Sequence, residues 1–162
     1  MISSRFRLAV LWLMLVLFLG SSPFGPKQTQ QHIVPALRTL APWMASSGLD
    51  AVHALLRKLS HLTEYAVLAL LWLRAFRDKE RFTLKRASWV TLTVCLACAI
   101  VDETHQARVP GRHGSLRDVA LDSLGAVAMV IAARRTQLGE GHAAPADTSD
   151  GRLDTCQVDK GA

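Results

Sequence analysis

The chain has few cysteines, a single tyrosine and none of the short signatures that announce common enzymes. Cys95, Cys98 and Cys156 are too few, and too unevenly placed, for a disulfide framework. Cys95 and Cys98 lie inside an apolar run and lack the second ligand pair that a zinc ribbon or finger needs, so they read as small apolar helix residues. No HExxH motif is present, and no nucleophile stands beside a base. No internal repeat is visible. The formal net charge of +6 raises the question of nucleic acid. However, the Lys and Arg residues form no continuous basic face and match no nucleic-acid motif, which excludes that partner class.

The chain is rich in apolar runs. Half of its 162 residues are hydrophobic, and the mean hydropathy is +0.21. The cationic residues fall in short clusters between these runs, which is the pattern of membrane topology. The composition and run lengths predict an all-α, integral membrane bundle of four transmembrane helices. The spans lie at roughly 6–24, 59–76, 87–104 and 116–133, inside one membrane domain over 1–135. The first run, Leu8 to Leu19, is short and can also be read as a signal-peptide core. It lacks an A-x-A-like cleavage site, which favours a retained helix.

Residues 25–47 contain Pro26, Pro35 and Pro42 and read as loop with short helical pieces. Trp43 and Met44 suit a lipid interface. Leu49, Val52, Leu56 and Leu59 recur at helical spacing, predicting a short amphipathic helix before the second span. Residues 136–162 have no apolar periodicity and read as a disordered tail.

Charge sets the orientation. Arg5 with Arg7, the cluster from Arg74 to Arg86, and Arg134 with Arg135 are all cytoplasmic only if the chain crosses four times. Both termini are then cytoplasmic, and residues 101–125 face outward. Lys27, Arg38, Arg57, Lys58, Arg108, Arg112 and Arg117 are cationic yet outside. The first four belong to a longer loop, and the last three lie near a polar stretch.

That polar stretch is the most informative part of the chain. Asp102, Glu103, His105, Gln106, Arg112, Asp118 and Asp122 crowd the ends of two apolar runs, where ionisable groups need a partner or a polar cavity. On the second helix Lys58, His61 and Tyr65 stand at i, i+3 and i+7, with Glu64 beside them. Asp102 and Gln106 are four apart, and Asp118, Asp122 and Gly125 continue the pattern. Pro110-Gly111-Arg112 marks a turn. Ser115 is placed as an N-cap, with Asp118 completing a capping box. A helix N-terminus beside Arg112 suits phosphate or carboxylate.

Structural readings stand beside each of these. Asp118 can serve only as a cap, Lys58 and His61 as interface anchors, and an Arg112– or Lys58–carboxylate pair as the bundle's internal tie. His61, His105 and His113 have no diagnostic metal spacing, so no metal and no cofactor is expected.

The ordered series K-x-x-H-x-x-E-Y (Lys58, His61, Glu64, Tyr65), D-E-x-H-Q (Asp102, Glu103, His105, Gln106), P-G-R (Pro110 to Arg112) and D-x-x-x-D-x-x-G (Asp118, Asp122, Gly125) resembles the VanZ-like family of bacterial membrane proteins. The family often carries Asn where this chain has Asp122. The resemblance implies a compact four-helix protein of the bacterial cytoplasmic (inner) membrane. Its namesake lowers susceptibility to a glycopeptide antibiotic. The expected function is binding of an anionic or glycosylated cell-envelope lipid or glycan precursor at the outer face, with an effect on glycopeptide susceptibility. Two alternatives stay open. One is a membrane-embedded enzyme on a lipid-linked substrate, with Glu103, His61 or Asp122 as acid or base. The other is a structural partner of another membrane protein.

Overall fold

Ser3 opens the first helix by accepting a hydrogen bond from the Arg5 backbone N–H, 3.3 Å away, so a short polar side chain satisfies an otherwise orphaned donor. In the computed structural model, which describes residues 3–21, 25–78, 82–108 and 115–140, five helices follow one another. They are α1 (Ser4–Leu19), α2 (Pro26–Leu40), α3 (Ser46–Arg77), α4 (Leu84–Ala107) and α5 (Leu116–Glu140). The described residues contain no strand, as the all-α expectation requires.

α3 is the axis of the fold. It packs against each of the other four helices, most extensively α5. Its buried residues Tyr65, Leu68, Ala69, Trp72 and Leu73 follow the three-and-four spacing that keeps side chains on one helix face. Ala9 and Val16 of α1, Cys95 and Ala99 of α4, and Ala126 and Val130 of α5 join them in one core. At one end, the Trp72 ring meets Phe6 edge-on at 5.1 Å and stacks on Phe76 at 5.3 Å. There Asp78 also pairs with Arg5, at 3.7 Å, and accepts from the Ser3 hydroxyl. The buried carboxylates Asp102, Glu103 and Asp122 lie at the other end.

Gly125 sets a close approach of α5 to α3. A Cβ at that position would overlap the backbone carbonyl of Leu62, so α3 and α5 can sit at this separation only with glycine there. Of the small residues on α5 near this contact, Gly125 and Ala126 are buried, whereas Ala128 is exposed.

Several expectations change. Residues 26–40, expected as loop with short helical pieces, form one helix. Pro26 occupies its first turn, where a missing N–H costs nothing. Pro35 removes a single interior hydrogen bond. Packing on α3 offsets that loss through Gln30 to Asp50 (3.0 Å), His53 with Thr29 (3.1 Å) and Arg38 to Ser46 (2.8 Å). The amphipathic helix expected before the second span is present as the first part of a longer helix. With no Pro or Gly after Gly48, it runs without a break into the second expected span, giving a 32-residue α3. Arg134 and Arg135, expected to end the fourth helix, lie inside α5. Residues 136–140, assigned to the tail, therefore continue that helix, and 141–162 lie outside the described residues.

Among the described helices, α4 is the one long and apolar enough to cross a membrane by length and composition. α1 has 16 residues, about 24 Å, and ends at Leu19 rather than Phe24.

The Gly125 contact makes a direct prediction. Gly125→Ala should destabilise the detergent-solubilised protein by about 1–3 kcal/mol, because the Leu62 backbone cannot step aside as a side chain can. Ala128→Leu, on an exposed position, should leave the melting temperature nearly unchanged. Thermal unfolding followed by circular dichroism reads both.

Candidate functional site

The buried face of α4 runs from Ala87 through Thr91, Cys95 and Ala99, and then turns polar at Asp102, Glu103 and Gln106. This places two carboxylates and an amide in the core at the end of a stripe of small, uncharged residues. α3 brings His61 to the same level and α5 brings Asp122. Asp102 is 2% exposed and Asp122 1% exposed, so both carboxylates are effectively removed from water.

Three helices thus meet through three polar side chains. Ligand-capable atoms of His61, Asp102 and Asp122 all lie within 4.8 Å of one another. His61 Nδ1 stands 3.3 Å from Asp122 Oδ1. Gln106 donates from Nε2 to Asp102 Oδ2 at 2.9 Å, an i, i+4 bond that fixes that carboxylate on its own helix. The end of α1 closes against this pair: a Cβ on Gly20 would stand 2.6 Å from Asp102 Oδ1 and 3.3 Å from Gln106 Nε2. Gly20 is therefore needed for close approach, and its φ of −67° shows that backbone freedom is not the reason.

Two cavities open beside the cluster. One, about 310 Å³, is lined by Gly20, Thr29, Ile33, Arg57, His61, Glu64 and Asp102, among others. The second, about 300 Å³, takes in Asp50, His53, Arg57, Lys58, His61 and Asp118. They share Arg57 and His61. α2, through Thr29 and Ile33, forms a wall of the first cavity, so the segment expected to be loop helps to enclose the site.

Of the candidates named from sequence, His61, Glu64, Asp102, Gln106 and Asp122 are brought together. Lys58 is exposed and, with half-buried Asp118, borders the neighbouring cavity. Tyr65 is fully buried and belongs to the hydrophobic core. Arg112 and the Pro110-Gly111 turn lie outside the described residues. Glu103 has a different role from the one expected. Its Oε1 accepts from the backbone N–H of Ser115, while Ser115 Oγ accepts from the Arg117 N–H at 3.2 Å. The reciprocal half of the capping box thus comes from Glu103 on α4, not from Asp118, and it ties α4 to the start of α5.

Sequence reasoning passed over His53, Arg57 and Gly20 as site residues. His53, Arg57 and His61 stand at i, i+4 and i+8, which was a readable line on one helical face. Gly20 had no such signal, because its contact is long-range.

The family model described as VanZ/LLP1 matches residues 6–137, most of the chain. No curated protein and no solved structure matches it.

The Glu103 cap is testable by substitution. Glu103→Ala should cost about 1.5–3 kcal/mol, the usual worth of a hydrogen bond to a charged group. Glu103→Gln keeps an accepting oxygen and should cost clearly less. Equal losses in the two variants, measured by thermal unfolding, would argue against capping.

Proposed function

Because this chain belongs to the VanZ/LLP1 family, we propose that it is a multi-pass protein of the bacterial cytoplasmic membrane that binds an anionic or glycosylated envelope molecule at its outer face. The observation carrying this reading is the inverted distribution of polarity. Asp102, Asp122, Glu103 and Gln106 are buried. Large apolar side chains point outward, including Leu11 at 65% exposure and Trp89 at 64%. In water this arrangement would leave apolar faces exposed and charges hidden. In a bilayer both placements are favourable, because the lipid covers the outside and the ionisable groups face one another or a cavity.

The proposed crossings are α1, the second part of α3, α4 and α5, with α2 and the first part of α3 lying at the outer surface. α3 has 32 residues, about 48 Å, which exceeds the roughly 30 Å apolar thickness and leaves its first turns free for that role. Both termini are then cytoplasmic, and the cavities beside His61 face outward. Arg57 and Lys58 supply cationic donors at the cavity lined by both, and Arg112, named from the sequence pattern, is the third cation assigned to the ligand. Guanidinium and ammonium groups of this kind favour phosphate over a neutral head group. A change in glycopeptide susceptibility is the expected cellular consequence.

The test pairs topology with binding. Single-cysteine labelling in cells should modify positions in 41–45 from outside and positions in 79–83 from inside. In nanodiscs, Lys58→Ala with Arg112→Ala should weaken binding of a polyprenyl phosphate by about tenfold or more, matching the loss of one to two charge-assisted contacts. Unchanged binding by a double variant that accumulates normally would reject the ligand reading. Labelling of 41–45 from inside would reject the topology.

A further inference from the structure

Asp122 poses a problem that hydrogen bonding does not solve. Its side chain is 1% exposed, and among the described residues neither carboxylate oxygen receives a hydrogen bond. The contact with His61 Nδ1, at 3.3 Å, is longer than the roughly 2.7–2.9 Å of a charge-assisted N–H···O bond and lacks its geometry. A buried carboxylate without donors is strongly disfavoured.

The spacing suits a different partner. Two ligands held about 2.0–2.1 Å from one tetrahedral ion stand about 3.3–3.4 Å apart, which is the His61–Asp122 separation. Asp102 completes a trio whose donor atoms all lie within 4.8 Å, slightly beyond the roughly 4.2 Å maximum for a shared ion at those bond lengths. Binding of one ion by all three requires the donors to draw together from these positions. The donors come from three different helices, one each from α3, α4 and α5. Gln106, bonded to Asp102 Oδ2, orients one carboxylate in the manner of an outer-shell partner.

We propose that His61, Asp102 and Asp122 form a site for one divalent cation of the zinc type, with its open coordination position facing the cavity beside Glu64. One imidazole and two carboxylates match Zn²⁺ and its first-row neighbours. Ca²⁺ requires six to eight oxygen ligands, and Mg²⁺ seldom takes imidazole. The two carboxylate charges balance the ion, which removes the cost of burying Asp122. Three protein ligands and one open position form the arrangement found where a metal binds water or a substrate oxygen. This inference stands apart from the proposed lipid ligand, which rests on Lys58 and Arg112.

The test uses the full chain, purified in detergent, stripped with chelator and titrated with Co²⁺. A single ion per folded chain should bind, with the strong visible bands of tetrahedral Co²⁺ and displacement by Zn²⁺. Asp122→Asn and His61→Asn should each weaken binding by about tenfold or more, and Gln106→Ala by about tenfold. A variant with all three cysteines replaced by alanine should bind like the wild type, which removes thiolates as the source. Asn at 122 keeps the side-chain shape and removes the buried charge, so this variant should remain helical by circular dichroism. Failure of the folded wild type to retain Co²⁺ or Zn²⁺ at about 0.1 mM would overturn the proposal. So would unchanged affinity in both the Asp122→Asn and His61→Asn variants. Either result leaves the polyprenyl phosphate measurement to stand or fall separately.

Discussion

The structure depends on how it holds charge among apolar helices. Asp122 on α5 and Asp102 on α4 are almost wholly withdrawn from solvent, and His61 of α3 stands between them. Ionised groups at such depth persist only when paired or when they face a polar cavity or cation. This requirement binds three helices to one level of the bundle. A slide of any one helix by a turn would carry its polar group about 5.4 Å away from the other two. The cluster therefore sets register as well as chemistry, in a fold where apolar packing alone tolerates sliding.

Two glycines make that register physically accessible. Gly125 lies three residues after Asp122, almost one turn along the same face, and lets α5 rest against the Leu62 carbonyl. Leu62 adjoins His61. The backbone contact and the His61–Asp122 contact are thus neighbours, and one distance determines the other. Gly20 does the same work at the end of α1, where any side chain would collide with Asp102 or Gln106. Packing and site geometry are set by the same few positions, so a substitution that separates the helices also disperses the cluster.

The helical class and the members of the cluster were legible in the sequence because both follow from spacing. Asp102 with Gln106, and Asp122 with Gly125, lie on single helix faces, and the resemblance supplied their order along the chain. The continuity of α3 was legible as well: the amphipathic spacing from Leu49 runs into the apolar span with no Pro or Gly between them. Two features were not legible, each for a physical reason. Three prolines pointed to loop over 25–47, but Pro26 sits where its missing N–H is harmless, and tertiary bonds to α3 compensate for Pro35. Glu103 was counted among ligand candidates because local spacing cannot reveal that its partner is the Ser115 N–H, twelve residues away in the chain. The neighbouring carboxylates of α4 therefore divide their work: Glu103 holds the start of α5, and Asp102 faces the cavity.

The position of α2 follows from the same constraint. A polar cluster near the end of a bundle is open to its surroundings unless something covers it. α2 lies along the first half of α3, held by Gln30 and Thr29, and it places Thr29 and Ile33 in the wall of the cavity next to His61, Glu64 and Asp102. These holding contacts are few and polar, and the Gln30–Asp50 bond is exposed. α1, α4 and α5, by contrast, contribute buried apolar residues to the common core. α2 therefore walls the cavity on that side without itself carrying any of His61, Asp102 and Asp122.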